Sequence, residues 1–172
     1  GRELAILEGF RGRVPAEVFT QEYRLPTTDG SGNNRDGIRR ALALLQQAGW
    51  QVRDRRLVNA QGQRFEFEIL LNTPSFERVA LPYVQWLERL GMSVRVRTVD
   101  PAQYQTRIDA FDYDMTVDSM GQSLSPGGEQ RDYFTCAKAR ENGSQNVPGI
   151  CDPAIDELVE LVVNAPDRAE LV

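Results

Sequence analysis

The chain has 172 residues, of which 41% are apolar and 26% are charged, and its formal net charge is −5. This composition is typical of one soluble globular domain, and arginines dispersed among more numerous carboxylates argue against a nucleic-acid partner. The absence of histidine excludes Ser-His-Asp and Cys-His nucleophile systems and most zinc sites, so we expect no metal and no cofactor.

The first 35 residues carry little periodic pattern. Residues 2–8 are typical of the end of a helix, and residues 28–34 are rich in Gly, Ser and Asn. We expect residues 1–35 to form an irregular segment truncated from a longer parent, and residues 36–172 to form one ligand-binding lobe. The charged amphipathic pattern after residue 164 predicts that this lobe is also truncated at its C-terminus.

Three helices are predicted in the middle of the chain. Residues 35–48 and residues 74–90 place apolar side chains at the i, i+3, i+4, i+7 spacing of a one-sided helix, and they end at Gly49 and Gly91. The Asp100-Pro101 pair is typical of an N-cap followed by a first-turn proline, and it predicts a third helix as far as about residue 110.

Strands are predicted between these helices. Residues 57–59 and 64–70 flank a Gly-containing turn and predict a hairpin with one wet face, because apolar and acidic residues alternate in its second half. Residues 92–99 and 113–117 predict two further strands. The order hairpin, helix, strand, helix, strand indicates an α/β fold, with helices flanking a mixed sheet whose later strands are parallel.

A polar loop follows the last predicted strand. Residues 118–128 are rich in Ser, Gly, Gln and Pro, and they leave the carboxyl end of a strand, where α/β sheets usually bind ligands. The loop could equally be a plain connector. A short helix at residues 131–139, a second polar loop and a last helix capped by Asp152-Pro153 are predicted after it.

Several stretches resemble a known family in the right order along the chain. They are FEFEILL at residues 65–71, the segment 76–105, SPGGEQRDYF at residues 125–134, GSQN at residues 143–146 and GICDPAID at residues 149–156. They resemble the C-terminal lobe of the periplasmic oligopeptide- and dipeptide-binding proteins of ABC importers, and within this family the Yej-type branch.

The resemblance implies one lobe of a two-lobed periplasmic binding protein of class II that closes on its ligand by a hinge. The implied partners are a peptide or peptide-like ligand, the membrane permease of an ABC importer and the N-terminal lobe of the same parent chain. The implied function is capture of the ligand in the periplasm for uptake, without enzyme activity. Two alternatives stay open: a sensory or regulatory ligand-binding lobe, and a hydrolase that uses the paired carboxylates Asp112 and Asp114.

The resemblance also directs attention to the loop at residues 122–129. Related peptide binders place an aspartate there, which pairs with the terminal ammonium of the ligand. Ser125 occupies the nearest position in this chain, which leaves Asp118 or Glu129 for that role.

The expected ligand-binding residues come from this loop and from the segments that follow it. For two of them a structural role is the simpler interpretation, since Arg131 and the neighbouring Asp132 could brace each other or the loop, and Asn146 could form a turn. We expect the set, apart from Arg131, to line one concave surface. The set is Met120, Gln122, Ser125, Glu129, Arg131 and Asn146.

The two cysteines, Cys136 and Cys151, flank the polar, glycine-bearing segment 142–149. Free buried cysteines are common, so these residues alone leave their pairing open, although the intervening segment can return on itself. Similar dipeptide-binding proteins carry a cysteine pair at corresponding places. The resemblance therefore implies a structural disulfide, which an extracytoplasmic location would preserve.

Overall fold

The computed structural model describes residues 2–28 and 30–171. Residues 1 and 29 of the predicted segment 1–35 and residue 172 of the predicted segment 36–172 lie outside this description. The chain divides into two compact units, Gly1–Thr27 with Met120–Val172 and Thr28–Ser119. The helices are α1 (Arg2–Glu8), α2 (Glu17–Thr20), α3 (Arg35–Gln47), α4 (Glu77–Glu88), α5 (Pro101–Asp109), α6 (Glu129–Phe134), α7 (Pro153–Val163) and α8 (Arg168–Leu171). The strands are β1 (Gln51–Arg53), β2 (Arg56–Val58), β3 (Glu66–Leu71), β4 (Ser93–Thr98) and β5 (Met115–Thr116).

A parallel sheet organises the unit Thr28–Ser119. Its strand order is β4-β3-β5, with Leu71 opposite Thr98 and Ile69 opposite Met115. Along the chain α4 links β3 to β4 and α5 links β4 to β5. These are the crossovers that parallel strands require. The predicted α/β fold with parallel later strands is confirmed, and the antiparallel pairing lies in a separate two-stranded sheet, β1-β2.

The core of this unit lies between β3 and α4. Ile69 and Leu71 are almost fully buried and form one cluster with Ala80 and Val84 of α4. Leu70, on the opposite face of β3, is also fully buried. The predicted alternation therefore ends at residue 69, because β3 is the central strand and its carboxyl half is covered on both faces.

The predicted hairpin is present in a short form. Val58 and Arg64 form an isolated antiparallel bridge, and the N–H groups of Asn59 and Phe65 donate to the carbonyls of Gln63 and Leu57 at 3.0 and 2.9 Å. Strand β2 pairs along its whole length with β1 instead. The turn between β1 and β2 is made by Asp54 and Arg55, both with positive φ, at 51° and 61°. Gly and Asn usually mark such a turn, so the sequence carried no signal for it.

The unit formed by Gly1–Thr27 and Met120–Val172 contains the remaining helices. The first 35 residues, expected to be irregular, contain α1 and α2, and residues up to 27 group with the C-terminal part of the chain. The compact units divide the chain after Thr27 and after Ser119, and the expected division into residues 1–35 and 36–172 stays a prediction. Helix α6 begins two residues earlier than predicted and ends at Phe134, whereas α7 begins at Pro153 with Asp152 as its cap, as predicted.

Candidate functional site

The candidate loop starts where β5 ends. The Tyr104 hydroxyl of α5 lies 2.8 Å from Oγ1 of Thr116 and donates to the carbonyl of Val117 at 3.0 Å. The Thr116 hydroxyl donates in turn to the carbonyl of Leu70 in the central strand, at 3.0 Å. The carboxyl end of β5 is therefore held to both α5 and β3. Residues after Ser119 belong to the other compact unit.

One buried amide organises the second half of the loop. Nε2 of Gln130 donates to Oε1 of Gln122 at 2.8 Å and to Oε1 of Glu129 at 3.2 Å. The same Glu129 oxygen accepts the backbone N–H of Gly127 at 2.9 Å. We call these hydrogen bonds the Gln130 network. The structure thus brings two of the predicted site residues, Gln122 and Glu129, together through a third residue that was not predicted.

The Glu129 carboxylate stays ionised in this arrangement. The backbone N–H of Gly127 and the Gln130 amide donate to it, and together with the nearby backbone N–H of Glu129 itself they lower its pKa from the ordinary glutamate value, the Gly127 bond most. Hydrogen bonds from N–H groups stabilise the charged form of a carboxylate, which is the cause of this direction. The side chain is exposed, so the loop presents a fixed negative charge to solvent.

Two other predicted loop residues lie on the surface. Met120 is 37% exposed and Ser125 is also exposed. The backbone N–H of Ser125 donates to Oγ of Ser123 at 3.1 Å and forms a local turn. The Ser125 hydroxyl takes no part in this hydrogen bond.

Arg131 has an internal partner. Its guanidinium makes a bidentate pair with Glu160 of α7, with both N–O distances at 2.7 Å, and this pairing raises the Arg131 pKa and lowers that of Glu160. The neighbouring Asp132 lies 3.8 Å from Lys138. The Glu160 pair joins α6 to α7, so Arg131 and Asp132 each have a structural partner other than one another.

Asn146 is fully buried and does not lie on an exposed surface. Its Nδ2 donates to the carbonyls of Thr135 and Ile150, at 3.1 and 2.8 Å, and its Oδ1 accepts the Ile150 N–H at 2.9 Å. Thr135 and Ile150 are the chain neighbours of the two cysteines, which form the predicted disulfide. The prediction of the Cys136–Cys151 bridge is confirmed, and Asn146 closes the same loop from inside.

A charged hollow of about 540 Å³ lies in the unit Thr28–Ser119. Arg107 of α5 bridges Glu68 at 2.8 Å and Asp112 at 2.9 Å, and the Glu68 bond is the main cause of its raised pKa. Asp114 accepts the backbone N–H of Glu68 at 2.9 Å. Both carboxylates of the hydrolase alternative, Asp112 and Asp114, therefore have structural partners. Sequence reasoning missed Arg107, since only the fold brings it to Glu68.

Within residues 2–28 and 30–171, no three His, Cys, Asp or Glu side chains converge in a way that could hold a metal ion. None of the helices formed by these residues is both long and apolar enough to cross a membrane.

The family follows from a comparison with protein-family models. Residues 7–142 match the model of the bacterial extracellular solute-binding proteins, family 5 Middle, and this match covers most of the chain. The chain belongs to this family. The recognition of a solute-binding protein from its sequence is therefore confirmed.

Curated relatives of this family 5 chain are similar over its full length. A probable peptide-binding protein YejA of Agrobacterium fabrum is 44% identical over 100% of this chain, which corresponds to 28% of that protein. A peptidoglycan-binding protein YepA of the same organism is 38% identical over 95% of this chain and 27% of its own length. The chain thus spans about a quarter of the length of these relatives.

The fold of this family 5 chain is also found among solved structures. The oligopeptide-binding protein AppA from Bacillus subtilis, solved in complex with a nonapeptide, matches with a TM-score of 0.68 and 20% identity. The match covers 89% of this chain and 30% of AppA. The expectation of an α/β lobe from a larger binding protein is confirmed at the level of the fold.

Proposed function

We propose that this chain is part of one lobe of a longer periplasmic protein that captures oligopeptides and delivers them to the permease of an ABC importer. Membership in the extracellular solute-binding family supports this proposal. The names of the two relatives, peptide-binding and peptidoglycan-binding, both fit a ligand that contains peptide bonds. The N-terminal lobe and the permease are the partners that this function requires.

The observation that carries the proposal is the exposed, ionised Glu129 beside Gln122 in the Gln130 network. A carboxylate and an amide held together can accept from a ligand ammonium and donate to a ligand carbonyl. A peptide N-terminus offers both groups. Of the two acidic candidates left open by the sequence, Glu129 is the one that we assign to the ammonium, with Met120 and Ser125 as neighbouring ligand contacts.

Arg131 and Asn146 take supporting roles in this proposal. The Glu160 pair uses the Arg131 guanidinium, and the carbonyls of Thr135 and Ile150 use the Asn146 amide. They hold the segment that carries Glu129 instead of touching the ligand.

We further propose that the protein binds its ligand without covalent chemistry. Asp112 pairs with Arg107, and Asp114 accepts the backbone N–H of Glu68 in β3. Both carboxylates therefore have structural roles. The sensory alternative would also require peptide binding, so a ligand-binding experiment tests what both functions share.

The test uses the full-length binding protein that contains this chain, unfolded and refolded to remove bound ligand. A pool of tripeptides with free N-termini is titrated by calorimetry, and the same pool is titrated after N-acetylation. We expect Glu129→Gln to weaken binding of the free pool by about 10- to 100-fold, because hydrogen bonds between charged partners are stronger than those between neutral ones.

The acetylated pool should bind wild-type protein more weakly and lose little more in Glu129→Gln. The matched control is Glu141→Gln, which removes an exposed carboxylate paired with Lys138 and should leave binding unchanged. Failure of wild-type protein to bind either pool, or cleavage of the peptides, would contradict the proposed function. Equal losses for free and acetylated peptides would contradict the role of Glu129.

A further inference from the structure

Gln130 is a polar side chain in a buried position. It is the second residue of α6 and only 7% exposed, and its backbone N–H donates to the carbonyl of Gly127 at 3.0 Å. Its side-chain Nε2 reaches Gln122, eight positions earlier, and Glu129, its chain neighbour. One NH₂ group thus serves the two side chains to which the ligand is assigned.

The contact with Gln122 selects one of two orientations. An amide side chain has an acceptor oxygen and a donor NH₂ group, and an unsupported glutamine on a surface can present either of them. Because Oε1 of Gln122 accepts from Gln130 at 2.8 Å, its NH₂ group is the part that stays available. The exposed Gln122 side chain is therefore held as a hydrogen-bond donor.

The contact with Glu129 acts on the carboxylate in a complementary way. Oε1 of Glu129 accepts from both Gly127 and Gln130, which fixes the plane of the group. An ionised carboxylate has about four acceptor positions, so capacity for a further donor stays on this side chain. Gln122 is held as a donor and Glu129 as an acceptor by the same buried amide.

We propose that Gln130 is the positioning residue of the ligand site, setting a donor and an acceptor side by side to match the first carbonyl and the terminal ammonium of a peptide ligand. This inference rests on the proposed function of the loop. Gln130 itself is buried and acts through its two neighbours. A purely structural Gln130 would affect stability but would show no energetic coupling to Gln122 in ligand binding.

The test is a double-mutant cycle in the full-length binding protein. Gln130→Met keeps the length of the side chain and removes the NH₂ group, and Gln122→Ala removes the donor that it orients. We expect Gln130→Met to weaken binding of the free tripeptide pool by about 5- to 30-fold, the loss that corresponds to one or two hydrogen bonds. In the Gln122→Ala background the same substitution should cost clearly less, since part of its effect acts through Gln122.

The matched control is Gln145→Met, the same substitution at an exposed glutamine in the same compact unit, and it should leave affinity unchanged. Fully additive losses from Gln130→Met and Gln122→Ala, or an unchanged affinity in Gln130→Met, would overturn the inference.

A ligand-free crystal structure of the Gln130→Met protein separates this inference from the proposed function. We expect the Gln122 side chain to lose its single orientation in that structure. A Gln122 amide that keeps its orientation would overturn the positioning role, whether or not the wild-type protein binds peptides. Absence of peptide binding by the wild-type protein, by contrast, would refute the proposed function itself.

Discussion

Asn146 is a fully buried amide that connects the two ends of the disulfide loop through three hydrogen bonds. Its truncation to alanine would leave the Ile150 N–H and two carbonyls without these partners inside the fold. Unsatisfied buried groups cost about 1–3 kcal/mol each when no water reaches them. We expect Asn146→Ala to lower the free energy of unfolding of the chain by about 2–4 kcal/mol in urea denaturation.

The control for this prediction is Gln145→Ala at the adjacent, exposed position, which should change stability by less than about 0.5 kcal/mol. Equal stabilities for the two variants would show that the Asn146 amide does not hold the loop.

The pKa of Glu129 gives a prediction about pH. Because its folded-state pKa is lowered, chiefly by the Gly127 N–H, ionisation of Glu129 stabilises the fold fully above the unfolded-state pKa. This contribution is lost as the pH falls through the folded-state pKa. We expect a carbon-13 NMR titration of the Glu129 carboxyl group to show a lower pKa in the folded chain than in urea. An equal or higher pKa in the folded chain would contradict the Gly127 hydrogen bond.

At the residue scale, sequence reasoning selected the loop as a candidate site but could not predict the contacts within it. Glu129 and Gln122 are polar residues after a predicted strand, and that pattern directs attention to them. Gln130 carries no such signal, because a glutamine in a short polar helix is normally exposed and only tertiary packing buries it. From the sequence, Asn146 could be either a ligand contact or a turn former. In the fold it is fully buried, with hydrogen bonds to the carbonyls of Thr135, 11 residues before it, and Ile150, four residues after it.

Gly91 ends α4 at a place where two segments of backbone approach each other. It has φ of +86°, and a Cβ atom built on it would lie 2.8 Å from the backbone nitrogen of Leu57, which donates to the Gly91 carbonyl. Gly49 ends α3 with φ of +89° and has no atom within 4 Å of such a Cβ. The two positions therefore share the same backbone strain but differ in crowding.

We expect Gly49→Ala to destabilise the chain by about 1 kcal/mol through its positive φ alone. Gly91→Ala should cost about 1–3 kcal/mol more, because the backbone at Leu57 must shift. Urea denaturation of both variants measures the difference, and equal losses would contradict the close approach.

The disulfide between Cys136 and Cys151 closes a loop with a sequence separation of 15. Such a loop stabilises a fold by about 3 kcal/mol in the chain-entropy estimate, chiefly by restricting the unfolded chain. We expect the Cys136→Ser/Cys151→Ser double variant to lose about this much stability. Thiol titration of the denatured, unreduced protein should find no free thiol before reduction and two after it; two free thiols before reduction would refute the bridge.

At the element scale, the elements with strong local signals were predicted well. Helices α3, α4 and α7 follow apolar periodicity, and positive-φ glycines lie just after the ends of α3 and α4. Asp-Pro pairs mark the starts of α5 and α7. The β1-β2 hairpin was missed because its turn uses Asp54 and Arg55. The pairing partners of β3 were also beyond sequence reasoning, since only the assembled sheet decides whether a strand pairs with its chain neighbour or with β4 and β5.

At the scale of the whole molecule, the family and the fold rest on independent observations. The family model matches residues 7–142, and AppA shares the fold at 20% identity. The chain corresponds to about a quarter of its curated relatives. Under the proposed function, we expect the ligand to contact residues beyond this chain as well, because a binding cleft buries most of the surface of its ligand.

Native mass spectrometry of the full-length binding protein, purified without unfolding, tests the proposed function most directly. We predict additional masses that correspond to bound oligopeptides, which are released intact on denaturation and are depleted in the Glu129→Gln protein but not in Glu141→Gln. A protein that carries no peptide and acquires none when incubated with a tripeptide pool would contradict peptide capture. Release of hydrolysed fragments would contradict binding without chemistry.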